Sequence, residues 1–170
     1  MTRPLSLATL LVAGALALGA CGSSSSSSTS ASGGAYPSTS TPKSSPRPTS
    51  ASVVGTSTGP MGTFLVDAKG RALYLFDADH GAKSTCNGAC ATAWPPLTTS
   101  GMPKVGGKAR ASLLGTTKRA NGTTEVTYAG HPLYTFTGDS APGQANGQGS
   151  DAFGAPWWVV SPAGQAIQSH

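Results

Sequence analysis

Side chains able to do chemistry are scarce in this sequence: three Cys, three His and six Asp and Glu together among 170 residues. Cys86 and Cys90 stand four apart. In an oxidising compartment two such thiols most simply form a disulfide, and one helical turn would bring their Cα atoms to about 6 Å, within bridging range. The alternative is copper or thiol redox chemistry, since soft thiolates select Cu(I). A dinuclear copper motif would need His where Trp94 stands and Met where Leu97 stands, and haem attachment would need Cys-x-x-Cys-His. Neither pattern is present, so a structural disulfide is the leading expectation and redox use the runner-up.

Asp79 and Asp139 each follow a predicted strand, where a carboxylate can accept backbone N–H groups of the next loop. That structural role is favoured over a cation or polar-ligand site assisted by Asp77. Asp77-Ala78-Asp79-His80-Gly81 opens like a calcium loop, but its third ligand position is Gly81 and its twelfth is Gly88, where Glu is needed. His80, His131 and His170 fall in a loop, in a turn and at the last position, with nothing pairing them. No nucleophile elbow, phosphate loop, dinucleotide fingerprint or His-Glu-x-x-His occurs, and no carboxylate pair is nominated by spacing. The reading is therefore of a non-enzyme with no cofactor and no metal.

The elements that must hold these residues begin after an address. Arg3, an apolar run from Leu5 to Gly19 and small residues before Cys21 have the order of a secretory signal. The run is too short for a membrane span. Leu18-Gly19-Ala20-Cys21 resembles the lipobox of bacterial lipoproteins, which implies that residues 1–20 are removed and that Cys21 becomes a lipidated N-terminus. The chain would then sit on the extracytoplasmic face of the cell membrane, and two acyl chains would suffice to keep it there.

Residues 22–52 hold 14 Ser among 31 positions, with only Tyr36, Lys43 and Arg47 outside Ser, Thr, Pro, Gly and Ala. Such a stretch cannot bury enough apolar surface to offset its ordering entropy. It reads as a disordered tether reaching roughly 30 Å, or equally as a glycosylated Ser/Thr/Pro stalk.

From Val53 on, an offset of 60 residues aligns Val53 to Asp79 with Leu113 to Asp139 without a gap, and ten of 27 pairs are identical. The domain, residues 53–170, is an internal duplication with repeats at about 53–100 and 113–164. Each copy alternates with period two. Thr63–Asp67 and Ala72–Phe76 flank the turn Ala68–Arg71, and Thr124–Tyr128 and Leu133–Phe136 flank Ala129–Pro132, which predicts two hairpins. Tyr74 and Phe76 share one strand face, as do Tyr134 and Phe136, while Leu75 corresponds to Thr135. The Tyr/Phe face is therefore expected to be the core, stacked across a pseudo-two-fold axis. Trp94 and Trp157 follow the loops as core or rim aromatics. Trp157 opens a closing strand, and Ser84 or Thr85 is placed to cap a short helix over 86–93. Gly (23) and Pro (13) are plentiful, which favours an all-β sandwich or barrel-like domain over a helix bundle.

Tyr74-x-Phe76-x-x-Asp79 and Tyr134-x-Phe136-x-x-Asp139 both fit Tyr-x-Phe/Trp-x-x-Asp. With the lipobox, the Cys86 to Cys90 segment and Trp94-Pro95-Pro96-Leu97, the chain resembles the bacterial secreted-repeat lipoproteins carrying that motif. The resemblance implies a cell-envelope lipoprotein whose repeat has no settled biochemical role, so the leading expectation is a binding or structural module. The net charge is +5 although only 10% of residues are charged, too sparse for a nucleic-acid binder reliant on phosphate contacts. Lys104, Lys108, Arg110, Lys118 and Arg119 lie between the repeats as a solvated connector. Its alternative use is contact with anionic lipid or an anionic cell-wall polymer. An envelope protein is the other expected partner.

Overall fold

The computed structural model describes residues 50–168. The signal segment 1–20, Cys21, tether residues 22–49 and His170 lie outside the described residues. The chain runs through β1 (Val53–Gly59), β2 (Gly62–Val66), β3 (Tyr74–Phe76), α1 (Ala89–Ala93) and β4 (Lys104–Val105), then β5 (Leu114–Lys118), β6 (Thr124–Tyr128), β7 (His131–Pro132), β8 (Asp151–Ala152) and β9 (Ala155–Val159). They form three small sheets, ordered β2-β1-β4, β3-β9-β8 and β5-β6-β7, that do not close into a barrel. The domain is all-β and duplicated.

The longest hairpin of each repeat precedes the one expected. β1 pairs with β2, and β5 with β6, each over five residue pairs. Gly and Thr interrupt the apolar alternation of Val53–Gly59, so no period-two pattern marks this strand in the sequence. The expected turn at Ala68–Arg71 does form. Asp67 accepts the N–H groups of Lys69 and Arg71 and pairs with the Arg71 guanidinium, while Gly70 takes φ 77°.

The gapless alignment hides two compensating changes. Gly59 pairs with Gly62 across a two-residue turn, whereas Lys118 pairs with Thr124 and leaves a longer one. The next turn is one residue shorter in the second copy, Thr127 pairing with Pro132 where Val66 bridges Ala72. Hence Leu65, not Val66, occupies the place of Val126: Leu73 N–H donates to Leu65 O as Leu133 N–H donates to Val126 O. In a strand a one-residue slip exchanges faces. Glu125 therefore takes the core position that Phe64 fills in the first copy.

Both faces of β3 are buried, which corrects the expectation of a single core face. Tyr74 and Phe76 enter an aromatic cluster with Phe64, Trp94, Tyr134 and Trp157. Leu75 enters an aliphatic cluster with Val54, Leu65, Leu73, Val126, Leu133 and Val160. Thr135, the counterpart of Leu75, is buried too, its hydroxyl donating to Pro95 O. Period two places residues on faces but does not say that only one face is covered.

The repeats are interlocked. β3 of the first pairs with β9 of the second, and Val160 bonds both Leu65 and Leu73. Reciprocally, Leu97 bonds both Val126 and Leu133, and Thr135 and Thr137 donate to Pro95 O and Ala93 O. The tail of each repeat thus completes the hairpin of the other.

Candidate functional site

The chemistry-bearing residues converge where the two repeats meet. Tyr74 and Tyr134 exchange backbone hydrogen bonds of 2.9 and 3.0 Å. Tyr74 Oη donates to Asp139 Oδ2 at 2.6 Å, and Tyr134 Oη donates to Asp79 Oδ2 at 2.7 Å. The motif Tyr of each copy therefore binds the motif Asp of the other. The second carboxylate oxygens do what the sequence indicated: Oδ1 of Asp79 accepts Thr85 N–H at 2.7 Å and Oδ1 of Asp139 accepts Asn146 N–H at 2.8 Å. Burial raises both phenol pKa values, so Tyr74 and Tyr134 remain protonated donors. Burial also raises Asp139, against the lowering effect of its bonds from Tyr74 and Asn146.

Over this crossing lies a stack of four rings. Phe76 stacks on Trp157 at 4.1 Å, Trp157 on Trp94 at 4.0 Å, and Trp94 on Phe136 at 4.3 Å. Tyr74 and Tyr134 meet Trp94 and Trp157 edge-on. Each Trp lies on the Phe of the other repeat, and both Trp are core residues, not rim. Gly147 makes this possible, because a Cβ there would stand 2.5 Å from the Trp94 ring.

The symmetry fails on one side of the crossing. Arg119, expected in a solvated connector, is only 7% exposed and forms a 2.6 Å ion pair with fully buried Glu125. Its guanidinium also donates to Ser84 Oγ at 2.7 Å, to Cys86 O and to Asn87 Oδ1. The Tyr134 phenol has one proton and gives it to Asp79, so the Ser84 hydroxyl 2.6 Å away donates to Tyr134 Oη. Burial, only partly offset by Arg119, pushes Glu125 up to about 7. The sequence held one sign of this pair: Glu125 at an apolar position of a strand whose flanking turn carries Arg.

The loop that Arg119 holds carries the Cys pair that the second copy lacks. Cys86 and Cys90 form a disulfide with Cα atoms 5.2 Å apart, both buried in the aromatic cluster. The helix is shorter than expected. α1 starts after Gly88, with no side-chain cap, because Thr85 is engaged with Asp79 and Ser84 with Arg119. Asp77 accepts Trp158 Nε1 at 2.9 Å through Oδ2. Among the described residues no three His, Cys, Asp or Glu side chains gather as metal ligands. His80 is exposed in its loop, and His131, expected in a turn, is half-buried at the start of β7, paired with Tyr128.

The family described as a secreted repeat of unknown function matches residues 55–98 and 115–161, one repeat each. No curated protein and no solved structure matches the chain.

Proposed function

We propose, from the premise that the chain belongs to the family of secreted repeats of unknown function, that it is a lipid-anchored envelope protein serving as a non-enzymatic binding or structural module. One observation carries this reading: all six motif side chains, Tyr74, Phe76, Asp79, Tyr134, Phe136 and Asp139, are spent on joining the two repeats. A motif engaged in the interior supports an architectural role and leaves recognition to the surface. The anchor reading rests on Leu18-Gly19-Ala20-Cys21. Mass spectrometry of membrane-purified protein tests it. An N-terminal acylated Cys21 is expected, with Cys21→Ser released from the membrane, and a mature protein beginning elsewhere would refute it.

The runner-up, redox or copper use of Cys86 and Cys90, draws on the restriction of the disulfide to one repeat. Against it, both sulfurs lie in the apolar core and Arg119 closes the loop over them. Thiol counting with and without reductant, followed by Cu(I) titration of both forms, separates the readings. Free thiols in native protein with stoichiometric copper uptake would favour the runner-up.

A further inference from the structure

More bases than acids of the domain are exposed. Asp67, Glu125 and Asp139 are buried, and Asp79 is bound by Thr85 and Tyr134. Lys69, Lys83, Lys104, Lys108, Arg110 and Lys118 are exposed, against Asp77 and Asp151 among acids. Part of this charge collects where the N-terminal segment joins the domain. Ser52 is fixed there: its hydroxyl donates to Thr98 O at 2.6 Å, its N–H to Thr99 Oγ1, and its carbonyl accepts Lys104 N–H at 2.8 Å. Thr99 N–H in turn donates to Thr124 O, and Thr124 pairs with Lys118. Ser52 thus stands between Lys104, whose strand partner is the adjacent Val53, and the Thr99–Thr124 contact that leads to Lys118. After Thr99 comes the 100–102 loop, bonded through Thr99 Oγ1 to Gly101 O and bearing Met102, which is 78% exposed. No acid occurs between Leu97 and Lys118, nor anywhere before Asp67.

We infer that this end of the domain, which carries exposed Met102, Lys104 and Lys118 near the chain entry at Ser52, is a docking face for an anionic phospholipid surface. The inference rests on the lipid-anchor reading, under which the chain enters the domain at Ser52, 31 residues after Cys21. An exposed thioether together with exposed ammonium groups matches an interface of acyl chains under anionic headgroups. Tethering raises the local concentration of that surface, so weak contacts suffice to hold the domain down.

The test uses the full chain with Cys21→Ser, which cannot be acylated, and phosphatidylcholine vesicles with and without phosphatidylglycerol. Binding to the neutral vesicles sets the baseline. A phosphatidylglycerol-dependent increment is expected, abolished at high salt, weakened on the order of 20-fold by Lys104→Gln/Lys118→Gln, and reduced by Met102→Ser. These side chains are exposed, and unchanged urea midpoints would verify that the variants fold. No increment, an increment indifferent to the Lys substitutions, or equal binding to soluble polyglutamate, which would point to a wall polymer, each overturns the docking face. Acylation of Cys21 is read separately on wild-type protein, so the anchor and the face can fail independently.

Discussion

At the scale of single residues, the crossed Tyr–Asp bonds and the buried ion pair determine behaviour. Tyr74→Phe removes the proton shared with Asp139 and leaves a buried carboxylate oxygen without its donor, which costs about 1–3 kcal/mol. Tyr134→Phe should cost a similar amount, and urea unfolding measures both. A Tyr74→Phe protein as stable as wild type would show that the crossing is incidental. Glu125 gives a pH signature. Folded Glu125 keeps its proton up to about pH 7, whereas an unfolded glutamate releases it near 4.5, so between those values the native state holds the extra proton. Stability therefore rises as pH falls from about 7 to 4.5 and gains nothing further from this group below that. The raised Asp139 acts in the same direction. In Glu125→Gln the slope near neutrality should largely vanish. An unchanged slope in denaturation midpoints between pH 5 and 8 would assign it to other groups.

Among elements, the loop from Ser84 to Cys90 is braced twice, by its disulfide and by Arg119. The disulfide closes a very short loop, so Cys86→Ser/Cys90→Ser should cost no more than about 2–3 kcal/mol, and less because Arg119 keeps the Cys86 carbonyl in place. Arg119→Met should be the more damaging change, since it takes the donor from the buried Glu125 carboxyl, the Cys86 carbonyl and Ser84 Oγ, each at about 1–3 kcal/mol. The first copy shows how the same position is filled without charge: Gly59 and Phe64 stand where Arg119 and Glu125 stand, and Phe64 lies in the aromatic cluster. Accordingly, Arg119→Met/Glu125→Leu should be more stable than Arg119→Met alone, as measured by thermal unfolding. A double variant worse than the single would mean that the guanidinium matters chiefly for the loop and little for Glu125.

For the whole molecule, the interlocked tails make the two repeats one folding unit. A chain of residues 50–112 would lack β9 and Val160, the partners of β3 and Leu65, and residues 113–168 would lack the Ala93–Leu97 partners of Leu133, Thr135 and Thr137. Each would also expose one Trp and one motif Asp. Neither fragment should therefore fold alone, and an equimolar mixture should regain the dispersed amide spectrum of the intact domain. A cooperative unfolding transition in either isolated fragment would refute the interlock.

Much of this was legible in the sequence because it depends on local pattern. The duplication, the all-β class, the loop-capping role of Asp79 and Asp139 and the short-range Cys86–Cys90 pairing follow from identity at fixed offset, from period two and from spacing. Three things were decided only in three dimensions. Which Tyr meets which Asp depends on the exchange of tails, since a repeat read alone offers its own Asp as the nearer partner. The equivalence of Leu65 with Val126 depends on two turns of unequal length whose differences cancel in the chain numbering. The burial of Arg119 depends on the first repeat's disulfide loop lying over a turn of the second, a contact between residues more than 30 positions apart. Local alternation specifies strands and faces, but the partner of each face is set by whichever distant segment lowers the free energy by covering it.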